Sequence, residues 1–276
     1  MMPPTGSADA ATADSWRQDF LHIDGVKVRY QRGGHGPSVL LLHGWGADIE
    51  SFTPVYEDLV RSYTVYAFDF PGFGRSSLPP AAWGVADYAA LTLRVMDALQ
   101  LERPHLVCHS FGGRIAIVLA AYHPSRVGRL VLVDSAGVRG RRPFKAHLKR
   151  LIAHLGQYLA RYGGNAGQKM REALYRRIQS QDYANAGPLR ATLVKVISED
   201  LTPLLPRIKS PTLLVWGEHD RDVPLAAARM MARSIPGAQL VVFENAGHFA
   251  YLDQFNRFRL LVGRFLRDQR AESSPA

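Results

Sequence analysis

Apolar runs of strand length alternate with helical patterns along most of this 276-residue chain. FLHI, VKVRYQR and SVLLLHG are separated by Asp24-Gly25 and by the glycine-rich stretch 33–37, which predicts two hairpin-linked strands feeding a third. TVYAFDF predicts a fourth strand, and VADYAALTLRVMDALQL an amphipathic helix. HLVCH predicts a fifth strand, followed by a helix from Phe111 to about Tyr122 that stops before Pro124, and RLVLVD a sixth. The alternation resumes with PTLLVWG, a helix after Pro224, AQLVVFE, and a last helix from about Tyr251 to Gln269. Runs such as VLLL and LVLV are apolar at every position, as strands covered by helices on both faces must be. The pattern predicts an α/β fold built on a mostly parallel eight-stranded sheet flanked by helices. Residues 19–136 and 207–270 form its core, and a mainly helical cap, 137–206, enters after the sixth strand.

Composition changes this picture in two places. Residues 1–18 hold neither a basic n-region nor an apolar h-region and predict a disordered leader rather than a secretion signal. Residues 138–178 hold eleven Lys or Arg against one acid, so this segment carries the whole net charge of +10 and the rest of the chain is formally neutral. A basic module set into a neutral body is a different proposition from a uniformly basic protein. Its possible occupants are an anionic substrate, an acidic partner or nothing but solvent. A stripe of Leu148, Leu151, Ile152 and Leu155 beside Lys145 and Lys149 is read as packing of the cap onto the core rather than as a membrane face. Nucleic-acid binding is not expected, because no recognition motif accompanies the charge. No apolar run is long enough to span a bilayer. A single cysteine, Cys108, fits a reducing cytoplasm.

In open α/β sheets, sites form where strands run out at their C-terminal edge. The segments at those positions are HGWGAD after the third strand, DFPGFGRS after the fourth, Ser110 after the fifth, Asp134 after the sixth, Asp220 after the seventh and His248 after the eighth. A serine hydroxyl becomes a nucleophile when an imidazole takes its proton and a carboxylate fixes the imidazole's tautomer. It also needs N–H groups aimed at the developing oxyanion. The Phe111 N–H lies at a helix N-terminus beside Ser110, and the glycine-rich turn after the third strand can free the Trp45 N–H.

LLLHGWG, FDFPGFGRSS, VCHSFGG, WGEHD and AGH stand in order at the ends of successive predicted strands. On these landmarks the chain resembles the α/β-hydrolase superfamily over about residues 20–268. The resemblance implies Ser110 as nucleophile, His248 as general base, Asp220 as orienting acid and Trp45 and Phe111 as oxyanion-hole residues, with the cap after the sixth strand. Asp134 is a rival acid, since some members supply it there. Asp69 is expected to organise its own loop, His43 to support the oxyanion turn, His109 to pack, and Asp222 and His219 to be loop residues. Neither metal nor other cofactor is expected.

A serine at this position implies acyl transfer, so the expected activity is a carboxylesterase acting on a small or medium acyl ester through an acyl-enzyme. HGWG with a basic lid also resembles the esterases of carrier-protein-linked methyl esters, which keeps an anionic or carrier-bound ester or thioester as an alternative. Carbon–carbon hydrolases of the superfamily usually carry an HGSGPG-like turn and a Trp soon after the catalytic His. HGWGAD and FAYLDQ place this chain outside that pattern. A non-catalytic small-ligand receptor is the alternative of a different class. Within LVCHSFGG, Cys108 is read as a compact residue at a tight spot, not as a nucleophile.

Overall fold

The computed structural model describes residues 17–138 and 186–267, and helices are numbered here over those residues. Eight strands form one sheet: β1 (Arg17–Ile23), β2 (Val26–Gly33), β3 (Ser38–Leu42), β4 (Thr64–Phe68), β5 (His105–His109), β6 (Leu130–Val133), β7 (Thr212–Gly217) and β8 (Gln239–Phe243). Their spatial order is β1-β2-β4-β3-β5-β6-β7-β8. The β1–β2 and β2–β4 pairs are antiparallel, and all other neighbours are parallel. β1 begins at Arg17, inside the stretch expected as leader, because Arg17 and Gln18 pair with Arg32 and Gln31.

Alternation along each strand sorts side chains to the two faces. On β3, Leu40 and Leu42 join one core with β5 residues Leu106 and Cys108. Helices α2 (Val85–Ala98), α3 (Phe111–Tyr122) and α5 (Leu225–Ser234) cover that face. Val39 and Leu41 point the other way, into a second core closed by α1 (Thr53–Leu59) and α7 (Phe255–Arg267). Each fully buried Leu, Ile or Val side chain stabilises the fold by about 1.5–3 kcal/mol.

Two elements differ from the sequence reading. Helix α1 was not anticipated; it is seven residues long, carries a proline at its second position and buries only Val55, Tyr56 and Leu59. The last helix is broken at Gln254, whose φ/ψ of −130°/53° leaves the helical region, so a short α6 (Ala250–Asp253) precedes α7. Of the cap expected over 137–206, residues 139–185 lie outside the described residues, and with them all eleven basic side chains and the Leu148–Leu155 stripe. The leader to residue 16 and the end of the chain from 268 also lie outside. The described part of 186–206 carries helix α4 (Arg190–Ser198) between short 3-10 turns. Among the described residues no helix is long and apolar enough to cross a membrane.

Strand order reverses between β3 and β5: the chain leaves β3 toward β4 on one side and leaves β5 toward β6 on the other. The crevice beyond their C-terminal ends is where an open α/β sheet forms a site. Trp45 follows β3 and Ser110 follows β5, so both stand at that point.

Candidate active site

Ser110 sits between β5 and α3 with φ/ψ of 48°/−107°, a conformation that L-residues avoid. The turn is held from both sides: the Ser110 N–H donates to the Val133 carbonyl at 3.0 Å, and the Ala136 N–H donates to the Ser110 carbonyl at 3.1 Å. The helix must leave the turn almost against β3. A Cβ on Gly112 would stand 2.1 Å from the Leu42 carbonyl oxygen, so only glycine fits there. Cys108 is fully buried in the core, and burial pushes its thiol well above the ordinary value.

The Ser110 hydroxyl lies 3.0 Å from His248 Nε2. His248 Nδ1 lies 2.9 Å from Asp220 Oδ2. The other carboxylate oxygen of Asp220 accepts the Asp222 and Val223 N–H groups at 2.8 and 2.9 Å, which fixes the side chain against the loop after β7. Burial lowers the His248 pKa, but the hydrogen bond and charge of Asp220 outweigh it, helped by Asp134 and Asp222, and the net direction is upward. Asp220, Asp222 and His248 bring ligand-type atoms within 4.8 Å of one another, a grouping that could hold a cation. Both imidazole nitrogens are already engaged, one by Asp220 and one by Ser110, which leaves no ring nitrogen for a metal.

The turn after β3 is braced by buried polar contacts. The Phe70 N–H donates to His43 Nε2 at 2.9 Å, so the ring carries its proton on Nδ1, which donates to the Gly44 carbonyl at 2.8 Å. Burial lowers the His43 pKa to about 4, so the ring stays neutral and keeps this tautomer. Beneath it, Asp69 accepts the Ile49 and Arg75 N–H groups and pairs with the buried Arg29, which also pairs with Glu50. The Trp45 ring packs edge-on against Phe73 and Phe111 at 4.9 and 5.4 Å between centroids. Trp45 and Phe111 line one cavity with Ser110.

Asp134 is fully buried at the end of β6 but does not touch the imidazole. One of its oxygens accepts the Gly217 N–H at 2.8 Å and the other the Ala250 N–H at 3.0 Å. Burial foremost pushes its pKa up to about 7. His109 is also closer to the chemistry than expected. Its Nε2–H donates to the His248 carbonyl at 2.7 Å, and the two rings lie 4.9 Å apart. Its Nδ1 is buried with no hydrogen-bond partner among the described residues. A Cβ on Gly44 would meet that nitrogen at 2.8 Å, so His109 is wedged between the His248 loop and the turn after β3. The histidine directly before the serine was the only available signal, and it could not reveal a partner 139 residues away.

Ser110, Phe111 and His248 open onto a cavity of about 840 Å³. Its wall is largely apolar, with Trp45, Val138, Leu193 and Met230 among its residues, and it also takes in Arg114, Asp222 and Arg233.

A family model described as the alpha/beta hydrolase fold matches residues 37–255. The chain belongs to the α/β-hydrolase family. Among individual relatives, it is 31% identical to the dihydrolipoyllysine-residue acetyltransferase component of the acetoin cleaving system of Cupriavidus necator, over 95% of this chain and 71% of that protein. It is 30% identical to the 2-hydroxymuconate semialdehyde hydrolase of a Pseudomonas species, over 88% of this chain and 92% of that one. Among solved structures it is similar to a bacterial membrane phospholipase A described as a virulence factor, with a TM-score of 0.74 and 28% identity over 94% of this chain and 87% of that one.

Proposed function

We propose that this hydrolase is a serine esterase that cleaves a carboxylic ester of a small or medium acyl group through an acyl-enzyme. The Ser110–His248–Asp220 chain of contacts, 3.0 and 2.9 Å long, carries the reading. Asp220 holds the proton on Nδ1, so Nε2 faces Ser110 as an acceptor. As Ser110 Oγ bonds to the ester carbon, its proton passes to His248 Nε2, and the imidazolium that forms is stabilised by Asp220. The Trp45 and Phe111 N–H groups receive the carbonyl oxygen as it turns into an oxyanion, a contribution worth about 2.7–4 kcal/mol per donor in comparable sites. The alkoxide leaves with the proton from Nε2. Water then repeats the steps on the acyl-enzyme and frees the acid. The largely apolar cavity beside Ser110 suits an acyl chain of modest length.

A second reading has a specific observation behind it: a relative 30% identical to this chain is a 2-hydroxymuconate semialdehyde hydrolase. The turn HGWGAD and the segment FAYLDQ after His248 keep the ester reading first. Purified protein is expected to hydrolyse p-nitrophenyl esters of two to eight carbons, with Ser110→Ala reducing kcat by about 10³-fold or more. Turnover of 2-hydroxymuconate semialdehyde with no ester turnover would shift the assignment to carbon–carbon bond cleavage. Turnover of neither would overturn both.

A further inference from the structure

His109 is a buried titratable group directly before the nucleophile, and the acyl-transfer steps give it nothing to do. It is only 2% exposed, and it meets all three parts of the machinery. It is joined to Ser110 through the chain. Its Nε2 donates to the main-chain carbonyl of His248 at 2.7 Å. Its Nδ1 lies against Gly44, the residue before Trp45. Aromatic rings close around it, with those of His248, Phe249 and Tyr251 at 4.9, 4.9 and 5.2 Å between centroids.

A carbonyl only accepts, so Nε2 carries the proton and Nδ1 is left as a bare acceptor. That acceptor is buried with no hydrogen-bond partner among the described residues. Burial first, and then the charge of His248, pushes the pKa of the ring down to about 3, so it stays neutral and keeps this tautomer. An unpaired buried nitrogen opposes folding, and an apolar side chain of equal size would avoid that penalty. What the apolar side chain could not do is donate to the His248 carbonyl. The loop around the base is tied at Gly247 to Asp253 and at Ala250 to Asp134, and His109 holds the base itself between them. Asp220 grips His248 by its side chain and His109 by its main chain, so Nε2 is aimed at Ser110 from two anchors. On its other side the ring limits how near the turn after β3 can come. A Cβ at Gly44 would stand 2.8 Å from Nδ1 and 3.3 Å from Cε1, both inside ordinary contact distance.

We infer that His109 is a positioning residue: its ring spans from the His248 main chain to the turn that carries Trp45, and sets how the base and that turn stand relative to Ser110. The inference rests on the serine-hydrolase reading and adds a residue to its machinery. His109 does not line the cavity, so it acts through His248 and Gly44 and not on the ester. The bond-making and proton transfers stay with Ser110 and His248.

The test measures kcat and KM separately on p-nitrophenyl butanoate, well below the Tm of each variant and with folding checked by circular dichroism. His109→Leu keeps an apolar filling and loses the donor. Its kcat should fall about 10- to 100-fold, as for a catalytic group displaced by a fraction of an ångström to one ångström. Its KM should stay within about threefold, because the cavity wall is untouched. His109→Gln places an amide N–H where Nε2–H stands and should recover kcat to within about fivefold of the parent. Gly44→Ala presses on the ring from its other side and should lower kcat about fivefold or more with KM again little changed. A purely structural role would lower Tm and leave kcat of the folded protein where it was. Where His109→Leu does not fold, His109→Gln and Gly44→Ala decide. Parent-like kcat in His109→Leu, or in Gly44→Ala, sinks the inference and leaves the esterase reading standing. Equal losses in His109→Gln and His109→Leu do the same, since the donor would then carry nothing. A parent that hydrolyses no p-nitrophenyl ester removes the esterase reading and this inference with it.

Discussion

Asp134 and Asp220 leave the ends of adjacent strands, β6 and β7, and both are buried. From the sequence, either could have been the acid partner of His248. They differ in how their oxygens are used. Asp134 gives one oxygen to the Gly217 N–H and the other to the Ala250 N–H, so both are consumed by backbone. Asp220 takes its two backbone N–H groups on a single oxygen, Oδ1, and keeps Oδ2 for the imidazole. The same number of backbone contacts thus yields a staple in one case and a staple with a free hand in the other. Asp134 ties the end of β7 to the segment after His248, which holds the two loops that bring Asp220 and His248 together. It acts on the imidazole only through its charge, which raises the His248 pKa behind the larger effects of burial and Asp220.

Replacing each carboxylate in turn breaks the comparison most sharply. Asp220→Asn puts an amide NH₂ against His248 Nδ1 and favours the tautomer that presents N–H to Ser110. The expected loss in kcat is on the order of 10³- to 10⁴-fold, with the fold intact by circular dichroism. Asp134→Asn leaves the Ser110–His248–Asp220 contacts in place. It turns one acceptor into a donor, so one backbone N–H loses its partner and stability falls by about 1–2 kcal/mol in urea unfolding. Activity should fall far less than in Asp220→Asn. Equal losses in the two variants would contradict the division of roles.

The pH profile separates the two sites further. His248 must be neutral to accept the Ser110 proton, and activity is lost as pH falls through its pKa. That pKa is raised, so the acid limb of kcat/KM in the parent is expected above pH 6.5, the ordinary histidine value. Asp134→Asn removes one of the charges that raise it and should move the limb to lower pH. A limb that moves upward would show that Asp134 does not bear on the imidazole through its charge. The smallest effect is expected at Cys108, where the thiol is fully buried and its pKa raised by that burial. Cys108→Ala should keep kcat within about twofold, with the cost confined to a small packing loss.

Features written in local chemistry could be read without coordinates. Runs such as VLLL and LVLV within the parallel strands are apolar at every position, and Ser110, Asp220 and His248 follow strands whose ends the pattern marks. What escaped the sequence was long-range or weakly patterned. Helix α1 buries three residues over two turns, too few for a period to show. The break at Gln254 carries neither proline nor glycine. His109 reads as one more polar residue beside the serine, because its partner is the backbone of a loop far along the chain. The sequence already favours Asp220 over Asp134, but which oxygen of each carboxylate meets which N–H is not written in the spacing.

The central claim is that Ser110 is the nucleophile, activated by His248. It is tested most directly by treating the protein with a fluorophosphonate and locating the adduct by peptide mass spectrometry. The account predicts one adduct per chain, on Ser110, formed as readily in Cys108→Ala and absent in Ser110→Ala, with labelling slowed strongly in His248→Ala. An adduct on any other residue, or ester hydrolysis that survives complete labelling, would contradict it.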